Sequence, residues 1–181
     1  MDLDQPIKRQ LDLITALLPQ ARSIGLLYTT QPKELNALRM LASTRKLLVN
    51  ERAVDAGTGI HAALQELLLS SDALLAWPDA EIYNASTIRN ILLATYRNKV
   101  PLLGFSGAYV KAGAVGAVFS TPQQIAAQSA SIVQAYRESH SLPAMQYAKE
   151  FEVSVNEQVA RSLGLTIKSA AQLRAEMELI P

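Results

Sequence analysis

The sequence predicts an α/β chain folded as a three-layer, doubly wound sheet of about five parallel strands, with one more strand and helices added at the C-terminal end. Three observations predict this class. Short apolar runs without polar interruption, such as residues 24–28 (Ile-Gly-Leu-Leu-Tyr) and 73–77 (Ala-Leu-Leu-Ala-Trp), read as strands buried on both faces. Each run breaks at a polar or proline-bearing loop and hands over to a helical pattern, so one strand, loop and helix grammar repeats along the chain. In the stretch 73–84 an apolar run ends at Pro78-Asp79, which puts Asp79, with Tyr83 and Asn84 behind it, beyond the carboxyl end of a buried strand, where such sheets take ligands.

Within residues 5–18, Ile7, Leu11, Ile14, Leu17 and Leu18 recur at helical spacing, Pro6 is tolerated in the first turn and Pro19 stops the run. The first strand breaks at Thr29-Thr30-Gln31-Pro32, and Leu35, Leu38, Met40, Leu41 and Leu47 continue as a helix. Residues 47–54 form a weaker strand, because Asn50, Glu51 and Arg52 interrupt it, and that polarity suits a sheet edge. Thr58 is placed to cap a helix carrying Ile60, Leu64, Leu67 and Leu68. After the third strand, Ile88, Ile91, Leu92, Thr95 and Tyr96 supply the inward face of a helix, and Pro101 opens a fourth strand over 102–105. A short turn then reaches a small-residue strand at 114–119. Pro122 starts a helix whose inward face is Ile125, Ala126, Ser129, Ile132, Val133 and Tyr136. Residues 140–148 read as a linker, Phe151, Val153 and Val155 alternate as a strand, Asn156 caps a short helix ending near Gly164, and 169–179 form one more helix.

With 49% apolar residues, 181 residues bury one sizeable core, so one main domain is expected. Seventeen basic against 16 acidic residues give a nucleic-acid or anionic-membrane partner no electrostatic support. There is no cysteine, which excludes disulfides and thiolate chemistry. The first residues show no signal-peptide pattern and no run reaches membrane-spanning length, so a soluble chain is expected.

Few residues carry chemistry. Gly57-Thr58-Gly59-Ile60-His61-Ala62 matches a dinucleotide-binding glycine pattern, with Asp79 at the distance of its ribose-binding acid, but the preceding strand is polar and Asp55-Ala56 intervenes, so a plain capped loop is preferred. His61 and His140, the only histidines, lack partners at metal-ligand or proton-shuttle spacing. Ser106 lacks a nucleophile elbow. Asp79 either holds an ammonium group of a ligand or shapes the turn that follows it. Thr29 and Thr30 face the same choice between ligand and cap, and Tyr83 and Tyr109 are pocket walls or ordinary packing. No catalysis, cofactor or metal is expected.

Several segments together resemble a known family. They are Gln5-Pro-Ile-Lys-Arg-Gln-Leu-Asp-Leu-Ile, Leu18-Pro with Ile24-Gly-Leu-Leu-Tyr, Asp72-Ala-Leu-Leu-Ala-Trp-Pro-Asp, Val100-Pro-Leu-Leu-Gly-Phe-Ser, Val110-Lys-Ala-Gly-Ala, and Phe151-Glu-Val-Ser-Val-Asn with Ala160-Arg-Ser-Leu-Gly-Leu. In order and spacing they resemble the ABC-transporter substrate-binding proteins of the periplasmic type that includes aromatic amino acid binders. The resemblance implies a Rossmann-like, periplasmic-binding-protein type I lobe at 21–139, preceded by a crossover helix at 1–20. Residues 140–181 would be a linker, strand and helices that belong to a first lobe or to a dimer contact. It also implies recognition of a small solute such as an amino acid for ABC import, transporter membrane subunits as partners, and a periplasmic location.

The ligand-facing loops then fall on Thr29 and Thr30, on Asp79, and on Ser106 with Tyr109; Asp79 would meet a positive group, Thr29, Thr30 and Ser106 would supply hydrogen bonds, and Tyr83 and Tyr109 would supply apolar walls. Ala80 stands where the family often has an asparagine after the acid. The family's signal peptide and most of its first lobe have no counterpart in the sequence, so Phe151, Val153, Val155 and Leu163 are expected either to pack back on the lobe or to pair with a second chain. The competing reading is a stand-alone metabolite-sensing or protein-interaction domain with the same fold.

Overall fold

The computed structural model describes residues 2–55, 57 and 59–179. It opens with helix α1 (Ile7–Leu17), strand β1 (Ser23–Tyr28), helix α2 (Leu35–Thr44) and strand β2 (Leu48–Ala53). Helix α3 (Gly59–Leu68), strand β3 (Ala73–Leu75), helix α4 (Ile88–Arg97) and strand β4 (Leu102–Gly104) follow. Then come helix α5 (Gly107–Ala112), strand β5 (Gly116–Phe119), helix α6 (Pro122–Ser139), strand β6 (Glu152–Val155), and helices α7 (Glu157–Ser162) and α8 (Ala170–Glu178).

The strands form one sheet in the order β2-β1-β3-β4-β5-β6, the first five parallel and β6 antiparallel to β5. From β1 the chain steps outward to β2 and then crosses back to the other side of β1 with β3. The winding therefore reverses between β1 and β3, and the loops after these two strands flank the switch point at which such sheets bind ligands. The polar strand β2 lies at an edge, as its Asn50-Glu51-Arg52 interruption predicts.

Strand side chains alternate between two buried layers, which is why the strands read as continuous apolar runs. Ile24, Leu26, Leu75, Leu103 and Val118 join the layer containing α1, α2 and α8, whereas Leu27, Leu74 and Leu102 join the layer containing α3 and α4. Leu11 and Ile14 of α1 are fully buried, and burial of such side chains stabilises the fold by about 1.5–3 kcal/mol each. The same helix is tied to the end of α2 by a part-buried ion pair, in which Arg45, the residue after α2, donates through Nη2 and Nε to the buried Asp12 Oδ1 at 2.6 and 3.1 Å.

Several expectations are corrected. The short turn expected after β4 is helix α5, closed by Gly113 at φ 130°, a conformation that glycine adopts readily. On α4 the buried residues are Ile91, Ala94 and Thr95, while Tyr96 is exposed. The largest departure is α6. A capping box between Thr121 and Gln124, with Pro122 in the first turn, starts this helix as its sequence suggests, yet none of its residues is buried. Val133 and Tyr136 are exposed, and Ile125 and Ile132 are only half-buried. Thr58, the expected cap of α3, lies outside the described residues.

Of the two alternatives for the C-terminal segment, packing back on the sheet is the one observed. Strand β6 pairs with β5, and Phe151, Val153, Ala160, Leu173 and Met177 are buried within the chain. Arg9 stacks over the Phe151 ring at 4.3 Å from its centroid. A second copy is therefore not needed to cover these residues. Val155 and Leu163 are half-buried against the same layer.

Candidate functional site

The loops after β1, β3, β4 and β5 gather at one end of the sheet because parallel strands all present their carboxyl ends there. Thr29 and Thr30 follow β1, Asp79 follows β3, and Ser106 and Tyr109 follow β4.

Across the switch point the structure joins the first two of these loops. Asp79 Oδ2 accepts hydrogen bonds from the Thr29 backbone N–H and the Thr29 hydroxyl, both at 2.8 Å. Its Oδ1 accepts from the Glu81 N–H at 3.0 Å and the Ile82 N–H at 3.4 Å. A carboxylate offers about four lone-pair sites, so Asp79 is saturated by protein donors. It shapes its own turn and ties that turn to the loop after β1. Partial burial works to raise its pKa, but the bonds from Thr29, Glu81 and Ile82 outweigh it and the net shift is downward, so the group stays ionised at neutral pH.

The other hydroxyls are uncommitted. Neither the Thr30 hydroxyl, which is exposed, nor the Ser106 hydroxyl, at the N-cap of α5, has a hydrogen-bond partner among the described residues. Ser106 lines a cavity of about 110 Å³ over the ends of β4 and β5, together with Gln5, Gln10, Pro78, Phe105, Phe119 and Ser120. Gln5 Nε2 donates to Ser120 Oγ at 2.8 Å, Ser120 Oγ donates to the Glu150 carbonyl at 2.6 Å, and Gln10 Nε2 donates to the Gln5 carbonyl at 3.0 Å.

The sequence reading missed Gln5, Gln10 and Ser120. A signal for Gln10 was present, because it follows Ile7 by one helical turn and so lies on the apolar stripe of α1, where a polar residue needs an internal partner.

The two tyrosines sit behind this cavity. Tyr83 is buried at 5% exposure and belongs to the α3/α4 layer, so in this arrangement it is packing and not an open wall. Its ring meets Phe105 edge-on at 6.3 Å and Tyr109 at 6.5 Å. The Tyr83 hydroxyl has no hydrogen-bond partner among the described residues, and burial pushes its pKa up. Tyr109 is half-buried; its hydroxyl donates to the Tyr83 carbonyl at 3.0 Å and its ring packs 4.4 Å from that of Phe105. Its Cβ lies directly against Gly104, where a side chain would have no room. Thr29 and Asp79 are thus joined across the switch point and Tyr109 is bonded to Tyr83 behind Phe105, whereas of the expected residues Ser106 alone lines the cavity.

The glycine pattern follows edge strand β2 while Asp79 follows β3, and β1 lies between them, so acid and glycine loop are not on neighbouring strands. Among the described residues no group of three or more His, Asp or Glu side chains is arranged to hold a metal ion, and no helix is long and apolar enough to cross a membrane.

A family model of ABC transporter substrate binding proteins matches residues 2–178. No curated protein sequence matches the chain. Among solved structures, a conserved domain protein from Vibrio cholerae is 27% identical, with 97% of this chain and 60% of that one covered at a TM-score of 0.74. The ABC domain in complex with L-Trp from Streptococcus pneumonia is 20% identical, with 97% and 66% covered at a TM-score of 0.72. A ligand-free, open substrate-binding protein with adhesive properties from Clostridium difficile is 19% identical, with 88% and 55% covered at a TM-score of 0.67. The chain therefore spans 55–66% of the length of these three proteins.

Proposed function

The chain belongs to the ABC transporter substrate-binding protein family, and from that premise we propose that it supplies one lobe of a solute receptor for import. The solute is small and polar, an amino acid by preference, and catalysis is no part of the task. The observation that carries this reading is the set of uncommitted polar groups at the carboxyl end of the sheet, Thr30 and Ser106, beside the ionised, loop-bridging Asp79. In this reading the two hydroxyls bond the ligand, and Thr29 and Asp79 hold the loops in register while the Asp79 charge favours an ammonium group. Tyr109, backed by Tyr83, supplies the apolar wall.

A cavity of about 110 Å³ is smaller than the roughly 300–1,000 Å³ of a small-molecule site. The remaining surface would come from a second lobe that closes over the first by hinge motion. The L-Trp complex of the pneumococcal relative supports an amino-acid class. Membrane subunits of an ABC transporter are the proposed partners, on the periplasmic or extracellular side. The bare flank of α6 favours a second reading, in which the same fold serves as an interaction domain.

Trp77, the sole tryptophan, lies half-buried two residues before Asp79 and reports on the crevice. Its fluorescence should change saturably with L-phenylalanine or L-leucine at millimolar concentration and should stay unchanged with ribose. A flat response to every amino acid would remove the amino-acid reading.

A further inference from the structure

A second concave site lies away from the carboxyl-end loops, between helices α3 and α4 on the outer flank of the sheet. Its volume is about 500 Å³, within the roughly 300–1,000 Å³ range of small-molecule sites. Both helices connect parallel strands, so they run in the same direction and the groove between them follows their length. Leu64 at 2% exposure and Ile91 at 1% make the floor, and Leu93, 44% exposed, stands on the lip.

The polar lining carries one sign of charge. Arg97, in the last turn of α4, and His61, in the first turn of α3, border the groove, and no Asp or Glu does. Among the described residues the Arg97 guanidinium has neither an ion-pair nor a hydrogen-bond partner, and the side-chain amides of Gln65 and Asn90 are equally uncommitted. An apolar trough with an unspent guanidinium at one end matches a particular kind of molecule. The trough buries a hydrocarbon body, and the planar fork of arginine takes a carboxylate by two parallel hydrogen bonds.

We propose that the α3/α4 groove binds a small amphiphile with an apolar body and a carboxylate head, the head seated on Arg97. The site shares no residue with the solute crevice, so either can fail without the other.

The test uses decanoate below its micelle concentration as probe, followed by backbone-amide NMR. Decyltrimethylammonium, with the same body and the opposite charge, and butyrate, with the head and little body, serve as controls. Decanoate should give saturable shifts at Leu64, Gln65, Asn90, Ile91 and Ala94, and Arg97→Gln should weaken it roughly tenfold, the effect of one charge-assisted hydrogen bond. Both controls should bind at least roughly tenfold more weakly. Arg97 is exposed and has no hydrogen-bond or ion-pair partner among the described residues, so its variant should keep the wild-type spectrum. The proposal is overturned by the absence of saturable decanoate shifts, by shifts confined to Thr29, Asp79 and Ser106, by equal binding of the cationic amphiphile, or by unchanged affinity in Arg97→Gln.

Discussion

Replacing Asp79 tests whether its carboxylate is a structural tie across the switch point. Four donors converge on it, two from Thr29 at 2.8 Å and two from the following turn at 3.0 and 3.4 Å. A hydrogen bond to a charged group contributes about 1.5–3 kcal/mol, which would overstate the loss here if simply multiplied. Glu81 and Thr29 lie in partly exposed loops, where water replaces a lost acceptor, and the 3.4 Å contact is weak. Asp79→Ala should therefore cost about 2–4 kcal/mol. Asp79→Asn keeps the shape but retains one acceptor oxygen and turns an N–H₂ toward two donors, so it should cost about 1–2 kcal/mol. Urea unfolding followed by Trp77 fluorescence reads both, with the slope unchanged if only stability has moved. A loss below about 0.5 kcal/mol for Asp79→Ala would refute the tie, because a saturated carboxylate cannot be removed at so little cost.

Three further outcomes follow from the same contacts. Asp12→Ala leaves the half-buried Arg45 without its carboxylate and should cost about 1.5–3 kcal/mol in urea unfolding; a loss under about 0.5 kcal/mol would contradict the lock between α1 and α2. Tyr83→Phe removes a buried hydroxyl that has no hydrogen-bond partner among the described residues, so stability should hold or rise by up to about 1 kcal/mol; a loss of more than about 1.5 kcal/mol would mean that the hydroxyl is satisfied. Burial works against ionisation of both Asp79 and Asp72, but hydrogen bonds from Thr29, Glu81 and Ile82, and from Arg22 and Ser23, leave both carboxyls below their ordinary value. A folded pKa below the unfolded value of about 3.9 gives stability that is complete above that value and lost as pH falls through the folded pKa. Urea midpoints should fall below about pH 4, and the Asp72→Asn, Asp79→Asn double variant should show a shallower acid limb. An identical limb would exclude these two groups as its source.

What the sequence conveyed, and what it hid, divides along a physical line. The runs at 24–28 and 73–77 announced buried parallel strands because both of their faces are covered, and the polar Asn50-Glu51-Arg52 announced an edge. Local capping chemistry was equally legible: Asn156 Oδ1 accepts from the Val159 N–H, and Ser169 forms a capping box with Gln172. Periodicity shows which side of a helix is apolar and not whether anything covers it. Helix α6 has the pattern of a buried helix, yet none of its residues is buried among the described residues. Helix α5, six residues long, is too short to show a period.

Site residues divide in the same way. Chain order placed Thr29, Thr30, Asp79, Ser106 and Tyr109 at one end of the sheet, because every parallel strand ends there. The engagement of Asp79 with a threonine fifty residues earlier was not visible, since no local pattern records a side-chain bond between distant loops. Gln5 and Ser120 stayed hidden for the same reason, joined only through the fold.

The most direct test of the solute-binding account is a backbone-amide NMR titration of this chain with a panel of amino acids, aromatic ones included, because it detects weak binding and locates it. The account predicts saturable shifts clustered at Thr29, Thr30, Asp79 and Ser106, diminished in Asp79→Ala. Saturable shifts that cluster elsewhere, or none at millimolar amino acid, would contradict it.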